Sequence, residues 1–180
     1  MKTINFLASL IKNRLAWVTL LVISLGCALS AAYFQHVLHL APCVLCVYER
    51  VAMCGVILSA LLGCWGYTWT ICRWGASLIW LISCGWGIAL TIEHLNYQYN
   101  PSPWNVCDIF TNFPSWLPLD QWVPSYFQAQ GVCADIVWSF LSISMVQWLF
   151  IIFVCLTAAN LAVVGACTIK KCMVLTHHFD

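Results

Sequence analysis

The stretch VAMCGVILSALLGCWGYTWTIC, residues 51–72, contains no charged residue and is long enough to cross a lipid bilayer as one helix. Three more uncharged runs cover residues 15–48, 74–92 and 136–169. Of the 180 residues, 63% are hydrophobic and only 7% are charged. This composition is typical of a membrane protein and excludes an ordinary soluble domain.

The four apolar runs predict four membrane-spanning helices. The first run is longer than one crossing, and Phe34-Gln35-His36 and Ala41-Pro42 indicate where one helix ends and the next begins. We therefore predict an all-α membrane protein, with residues 1–180 forming one domain, because irregular backbone cannot face lipid. The four-helix transmembrane bundle has spans near 15–33, 45–65, 72–94 and 145–167, and an outer loop near 95–144.

The basic residues predict the orientation of this bundle. They lie before span one, between spans two and three, and after span four: Lys2, Lys12, Arg14, Arg73, Lys170 and Lys171. By the positive-inside rule both termini are cytoplasmic, and residues 34–44 and 95–144 lie outside. The N-terminus imitates a signal peptide, but we expect span one to be retained because the charge pattern requires it. No basic, aromatic-interleaved patch indicates nucleic acid binding.

Position sorts the twelve cysteines into three groups of four. One group lies within the spans and is expected to pack: Cys27, Cys54, Cys84 and Cys155. A second lies near cytoplasmic ends, where thiols stay reduced: Cys64, Cys72, Cys167 and Cys172. The outer group is Cys43, Cys46, Cys107 and Cys133. Its natural starting partition is two disulfides, Cys43 with Cys46 and Cys107 with Cys133, and the second can be an ordinary structural staple.

The Cys43-x-x-Cys46 pair favours redox chemistry, because cysteines so close together gain little loop-closure stabilisation but readily exchange electrons. Pro42 suits a first helical turn, where the positive end of the helix dipole favours a thiolate. Arg50, the one basic residue outside the cytoplasmic pattern, follows Cys46 by four residues and shares its helix face. Arg50 can stabilise the Cys46 thiolate or an anionic acceptor, with Glu49 balancing its charge. Alternatively, Arg50 snorkels to lipid headgroups or pairs with Glu49 or Glu93.

Two histidine patterns leave further alternatives open. His94 stands at the outer end of span three, where it can relay a proton or serve as a structural interfacial residue. A metal site of His36, His39, Cys43 and Cys46 has nitrogen and sulfur ligands at close spacing, although it leaves Arg50 without a role. Covalent haem attachment is disfavoured, since Val47 stands where a histidine would be required.

The outer loop is unusually aromatic. Its stretch from Pro114 to Pro124 alternates large apolar groups with prolines, and Tyr126 and Phe127 follow. Tryptophan prefers the membrane interface, so we predict a short interfacial segment that holds the loop near the redox centre. The alternative is a packed cap over the bundle.

Together these motifs resemble the DsbB family of bacterial inner-membrane disulfide bond formation proteins over nearly the whole chain. The resemblance is carried by Phe34-Gln35-His36, by Pro42 to Arg50, by Glu93-His94, by Tyr99-Asn100-Pro101-Ser102-Pro103 before Cys107-Asp108, and by Phe113-Pro114 to Pro124. The chain departs from the family in its extra cysteines and in a tail containing cysteine and histidine. These departures remove no motif residue.

The resemblance implies a thiol:quinone oxidoreductase that reoxidises a periplasmic, thioredoxin-like partner of the DsbA type. The partner would attack Cys107, Cys133 would pass electrons to Cys43, and the Cys46 thiolate would donate to ubiquinone or menaquinone. Arg50 and His94 would stand at the quinone ring, with Gln35 and Met145 lining the site. A vitamin K epoxide reductase type of protein is the nearest rival, but it places its redox motif differently along the chain.

Overall fold

The computed structural model describes residues 2–100, 107–108 and 110–176, and it describes side chains as far as residue 169. The helices are α1 (Lys2–Leu10), α2 (Arg14–His36), α3 (Val44–Gly66), α4 (Thr70–Tyr99), α5 (Leu119–Trp122), α6 (Pro124–Phe127) and α7 (Met145–Thr176). Two short strands, β1 (Ser139–Phe140) and β2 (Ile143–Ser144), form an antiparallel hairpin.

Four of these helices, α2, α3, α4 and α7, are long and apolar enough to cross a membrane. Each predicted span falls inside one of them, so the predicted four-helix membrane fold is confirmed. Helix α4 extends past the predicted third span by two residues at its start and five at its end, because it continues to Tyr99 and the Asn100 amide still donates to the Asn96 carbonyl. The sequence reading also missed α1 and the β-hairpin, which adds a small exception to the all-α class.

Helix α3 is the centre of the bundle. It packs against α2 and α4, and α4 packs in turn against α7. Glycines allow close approach: a Cβ atom at Gly63 would lie 2.2 Å from the Trp17 ring, and one at Gly87 would lie 2.6 Å from the Phe153 ring. Aromatic rings therefore lie directly on glycine backbone, which is the small-residue packing favoured between membrane helices.

Buried polar groups within the bundle are paired across helices. The Ser59 hydroxyl donates to the Ala76 carbonyl at 2.8 Å. Asn160 on α7 accepts from the Ser77 hydroxyl at 2.7 Å and donates to the Ser77 carbonyl at 2.8 Å. Such bonds tie α4 to α3 and to α7, since lipid offers these groups no alternative partner.

We call the end of the bundle where α3 and α7 begin, and α2 and α4 end, the cysteine end. Residues 107–108 and 110–144 include the segment that folds over it. The amides of Gln130 and Gly131 both donate to the Pro42 carbonyl, at 2.8 and 2.9 Å, and so fasten this segment just before Cys43. The hairpin turns at Leu141 and Ser142, whose φ angles of 54° and 63° suit a tight two-residue turn.

Candidate redox site

Cys43 and Cys46 meet at the first turn of α3. Cys43 is the N-cap residue, and its sulfur accepts a hydrogen bond from the Cys46 amide at 3.2 Å. The two sulfur atoms are 2.8 Å apart and are not joined by a disulfide. Pro42 therefore precedes the helix instead of occupying its first turn as predicted. Because the cap residue itself is a cysteine, its sulfur lies against the exposed amides at the positive end of the helix.

A buried hydrogen-bonded chain lies behind Cys43. His94 on α4 places Nε2 3.5 Å from the Cys43 sulfur and Nδ1 2.9 Å from Oε1 of Glu49. The side chains of His94 and Glu49 are each only 2% exposed. The other carboxylate oxygen of Glu49, Oε2, is buried and has no hydrogen-bond partner within the described chain. His94 is thus placed to exchange a proton with Cys43, held in orientation by Glu49.

Arg50 faces a different direction from Glu49. Its guanidinium donates to Oε1 of Gln35 and to the Tyr126 carbonyl, the latter at 2.6 Å. It also lies 4.6 Å from the centre of the Tyr126 ring, within range of a cation–π contact. The suggested pairing of Arg50 with Glu49 or Glu93 is wrong. Among the described residues, Glu49 forms its ion pair with His94 instead. Adjacent helical residues point to different sides, so Glu49 reaches α4 while Arg50 does not.

Tyr126 anchors the loop beside Arg50. Its hydroxyl donates to the Ala28 carbonyl of α2 at 3.1 Å. Burial raises the pKa of Tyr126, and the nearby Arg50 charge opposes that rise only in part. The phenol is therefore neutral at physiological pH, so the groups that bond directly to Arg50 carry no charge, while the Glu49 carboxyl lines the same cavity without bonding to Arg50.

A cavity of about 510 Å³ lies next to Arg50, between α2, α3 and α7. Cys46, Arg50 and Met145, three of the residues that the family resemblance assigns to an acceptor site, line this cavity together. Gln35 does not line it and instead accepts a hydrogen bond from Arg50. Besides Tyr126, four aromatic side chains line the cavity: Phe34, Trp138, Phe140 and Trp148. Consecutive rings in this aromatic wall are 5.0 to 6.5 Å apart. Such a cavity suits a flat, apolar ring.

His94 is not among the residues that line this large cavity. It lines a separate void of about 20 Å³ with Cys43 and Cys46. The prediction that His94 stands at the acceptor ring therefore does not agree with this geometry. Cys46 lines both spaces, so the pair has one side toward His94 and one toward Arg50.

The second outer cysteine pair, Cys107 and Cys133, forms a disulfide. This is the pairing that the sequence suggested for the outer cysteines. Cys133 is 1% exposed and packs in one cluster with Cys43, Leu45 and Leu90, whereas Cys107 is partly exposed. The disulfide therefore has one sulfur near solvent and the other against the helix-borne pair. The Pro101-Ser102-Pro103 part of the loop motif lies outside the described residues.

The aromatic segment of the loop shows features of both alternatives. Trp116 and Trp122 are 75% and 62% exposed, whereas Phe127 is buried. One side of the segment therefore packs on the bundle as a cap, and the other side exposes tryptophan. Contact of that exposed side with a membrane interface stays a prediction.

The metal site suggested for His36 and His39 does not form. Both histidines are exposed, and the metal-type cluster in the described part of the chain contains His94 in their place, with Cys43 and Cys46. The sequence did not reveal that His94 joins this cluster. It also did not reveal that Trp138, Phe140 and Trp148 line the large cavity. The signal for the aromatic wall was weak, since the chain is rich in aromatics everywhere: 14% of residues.

The chain is similar to known proteins over most of its length. The family model described as "Disulfide bond formation protein DsbB" matches residues 13–163. Three relatives are named "Disulfide bond formation protein B". The Aeromonas hydrophila protein is 51% identical over 83% of this chain and 87% of its own length. The Vibrio cholerae protein is 47% identical over 89% and 91%, and the Photobacterium profundum protein is 46% identical over 93% of both chains.

Proposed function

The chain belongs to the DsbB family of disulfide bond formation proteins, and on this premise we propose that it reoxidises a periplasmic dithiol protein of the DsbA type with membrane quinone as electron acceptor. The observation that carries the proposal is the position of Cys46, which lines a large apolar cavity beside Arg50, whose guanidinium bonds only to neutral groups. A quinone ring fits the aromatic wall, and Arg50 would stabilise negative charge on its oxygen or on the Cys46 thiolate.

The position of the cavity between helices supports access by a lipid-soluble acceptor. Helices α2 and α7 both contribute to its walls, yet they are not among the helix pairs that pack closely on each other. A ring could therefore enter sideways from the bilayer, and either ubiquinone or menaquinone meets the chemical requirement. The quinone, when bound, would accept two electrons and two protons.

The partner would enter from water at Cys107. A partner thiolate attacks the Cys107 sulfur, the Cys107–Cys133 bond breaks, and Cys133 leaves as a thiolate. Cys133 then attacks Cys43 of an oxidised Cys43–Cys46 pair, which releases Cys46 as a thiolate facing Arg50. The partner's second thiol attacks the mixed disulfide, which completes the partner's disulfide and releases Cys107 as a thiolate. Cys107 then attacks Cys133 in the Cys43–Cys133 disulfide, so the Cys107–Cys133 bond re-forms and Cys43 is freed. The reduced Cys43–Cys46 pair would pass two electrons to the acceptor and return to a disulfide. In total, two thiols become one disulfide, and two electrons and two protons leave with the acceptor.

His94 and Glu49 would handle the protons of Cys43. Nε2 of His94 is near enough to take or return the thiol proton, and Glu49 stabilises the charged imidazole. This assigns His94 to the partner-facing side of the relay and Arg50 to the acceptor-facing side. Cys46, which lines both spaces, would connect them.

Reconstitution tests this function. The protein is placed in liposomes that contain quinone, and a reduced thioredoxin-like dithiol partner is added. We expect partner oxidation to fall at least 100-fold in separate serine variants of Cys43, Cys46, Cys107 and Cys133, because each supplies an essential thiolate or disulfide sulfur. Cys155→Ser is the matched control, since that cysteine is exposed on α7 away from the site. Full turnover in all four site variants would reject the relay.

Trapping tests the order of steps. A partner variant that keeps only its attacking cysteine should accumulate a mixed disulfide with Cys107 of the wild-type protein, because the second thiol that would complete the partner's disulfide is missing. In Cys107→Ser no such adduct should form. A partner adduct on Cys43 as the first product would contradict the order.

We also propose a location in the bacterial inner membrane, with both termini cytoplasmic and the cysteine end periplasmic. The distribution of lysine and arginine supports this orientation. After reduction, a membrane-impermeant maleimide added to spheroplasts should label Cys107. Labelling only after the membrane is broken would reverse the orientation.

A further inference from the structure

Cys43, Cys46 and His94 form a cluster that the electron relay does not fully explain. Their ligand atoms lie within 4.8 Å of one another, and they come from the start of α3 and from α4. Two sulfurs and one imidazole nitrogen form a donor set that favours Zn²⁺ over harder ions such as Mg²⁺ or Ca²⁺. The cluster becomes a donor set only when the cysteine pair is reduced, since a disulfide sulfur is a poor ligand.

The distances are close to those of a zinc site. A tetrahedral Zn²⁺ with bonds of about 2.3 Å to sulfur and about 2.0 Å to nitrogen holds sulfur and nitrogen about 3.5 Å apart and two sulfurs about 3.8 Å apart. The Cys43 sulfur and the His94 nitrogen are 3.5 Å apart. The two sulfurs are 2.8 Å apart, so they would need to separate by about 1 Å. A rotation of the Cys46 side chain, which is partly exposed, can supply that change.

Glu49 completes the surroundings that a zinc-bound histidine usually has. It accepts from Nδ1 of His94 at 2.9 Å, which turns Nε2 toward the sulfurs as the coordinating atom. A carboxylate behind a ligating histidine fixes the ring and strengthens its binding of zinc. The second oxygen of Glu49 is buried without a partner within the described chain, and a nearby dication would offset its charge.

A small void gives space for a fourth ligand. The void of about 20 Å³ is lined by all three donors, and this is enough for one water molecule. Three protein ligands and one water are the usual arrangement of an open zinc site.

We propose that the reduced Cys43–Cys46 pair and His94 bind one Zn²⁺, and that this holds the pair reduced and blocks electron flow. Two thiols lose two protons as two Zn–S bonds form, with no change of oxidation state. Oxidation of the pair to a disulfide removes both thiolates and releases the ion. Binding stands independently of the proposed function, whereas inhibition rests on it.

Cobalt(II) is the first probe, because it occupies zinc sites and gives thiolate charge-transfer absorption. Full-length protein is reduced, freed of reductant without oxygen, and titrated with Co²⁺ and then with Zn²⁺. We expect one equivalent of each to bind, with Zn²⁺ displacing Co²⁺. Cys43→Ser and Cys46→Ser should lose the absorption, and Glu49→Gln should weaken binding about 10- to 100-fold.

Controls separate this site from the other cysteines. A Cys107→Ser/Cys133→Ser double variant should still bind one equivalent, and protein with an oxidised Cys43–Cys46 pair should bind none. Unchanged binding in Cys43→Ser and Cys46→Ser, or no binding by reduced wild type, would overturn the proposal. Binding of Zn²⁺ without slower partner oxidation would overturn inhibition alone. Absence of partner oxidation without metal would count only against the proposed function.

Discussion

Substituting alanine for Gly131 should pull Cys133 away from Cys43 without removing any sulfur. A Cβ atom at this position would lie 2.5 Å from the Ala41 carbonyl oxygen and 3.3 Å from the Pro42 carbonyl carbon. These are backbone atoms, which cannot rotate aside. The segment must therefore move by on the order of 1 Å to reach ordinary contact distance.

That movement endangers the two hydrogen bonds from Gln130 and Gly131 to the Pro42 carbonyl. Each is worth about 0.5–1.5 kcal/mol net, so losing both disfavours the docked segment by about 1–3 kcal/mol. This corresponds to a decrease of about 5- to 150-fold in the docked population, and the rate of exchange between Cys133 and Cys43 should fall by a similar factor.

The assay uses a Cys46→Ser/Cys107→Ser background, in which Cys43 and Cys133 are left to react with each other. The reduced protein is treated with diamide, and the Cys43–Cys133 disulfide is followed over time by peptide mass spectrometry. Gly165→Ala is the matched control, because a Cβ atom there would meet nothing within 4 Å. An unchanged rate with Gly131→Ala would refute the reasoning, as would an equal loss in the control.

Three other predictions concern the acceptor cavity and its surroundings. Glu49→Gln should slow alkylation of reduced Cys43 by iodoacetamide about 10-fold at pH 7, because a charge-assisted bond to the histidine is replaced by a neutral one; an unchanged rate would count against the proton chain. Gly26→Leu should raise the KM for quinone about 10-fold, because the added side chain fills the cavity. Gly85→Leu, on an exposed face of α4, should leave this KM unchanged. An equal rise in KM for both variants would indicate general damage to folding. Tyr126→Phe should reduce turnover less than 5-fold, since the variant loses one hydrogen bond of about 1 kcal/mol and keeps the ring. Because burial raises the pKa of Tyr126, the phenol of the wild-type protein stays protonated across the neutral range. Loss of an alkaline limb from the pH profile in Tyr126→Phe would contradict this.

The predictable part of the fold follows from local rules. The length of the apolar runs determines how many helices can cross a bilayer, and Pro42 ahead of an apolar run marks the start of α3 within two residues. The small hairpin could not be predicted this way, because Leu141 and Ser142 are not the residues that usually adopt positive φ.

The predictable part of the site is the part that lies close together along the chain. Cys43, Cys46 and Arg50 occur within eight positions, and helical spacing alone relates them. Helical spacing does not reveal what each side chain meets on other helices. From the sequence, Glu49 was expected to balance the charge of Arg50. The hydrogen-bond partners of Arg50 are instead Gln35 and Tyr126, which are 15 and 76 residues away along the chain.

The sequence by itself determined that this is a four-span membrane protein with the Cys43-x-x-Cys46 motif near a helix start, because apolar length and a proline ahead of an apolar run are local properties. The tertiary structure alone decided that His94 faces Cys43 and not the large cavity, that Glu49 serves His94, and that Trp138 and Phe140 complete the aromatic wall. The physical reason is helix rotation. A helix that is apolar on nearly every side can present any face to its neighbours until packing selects one.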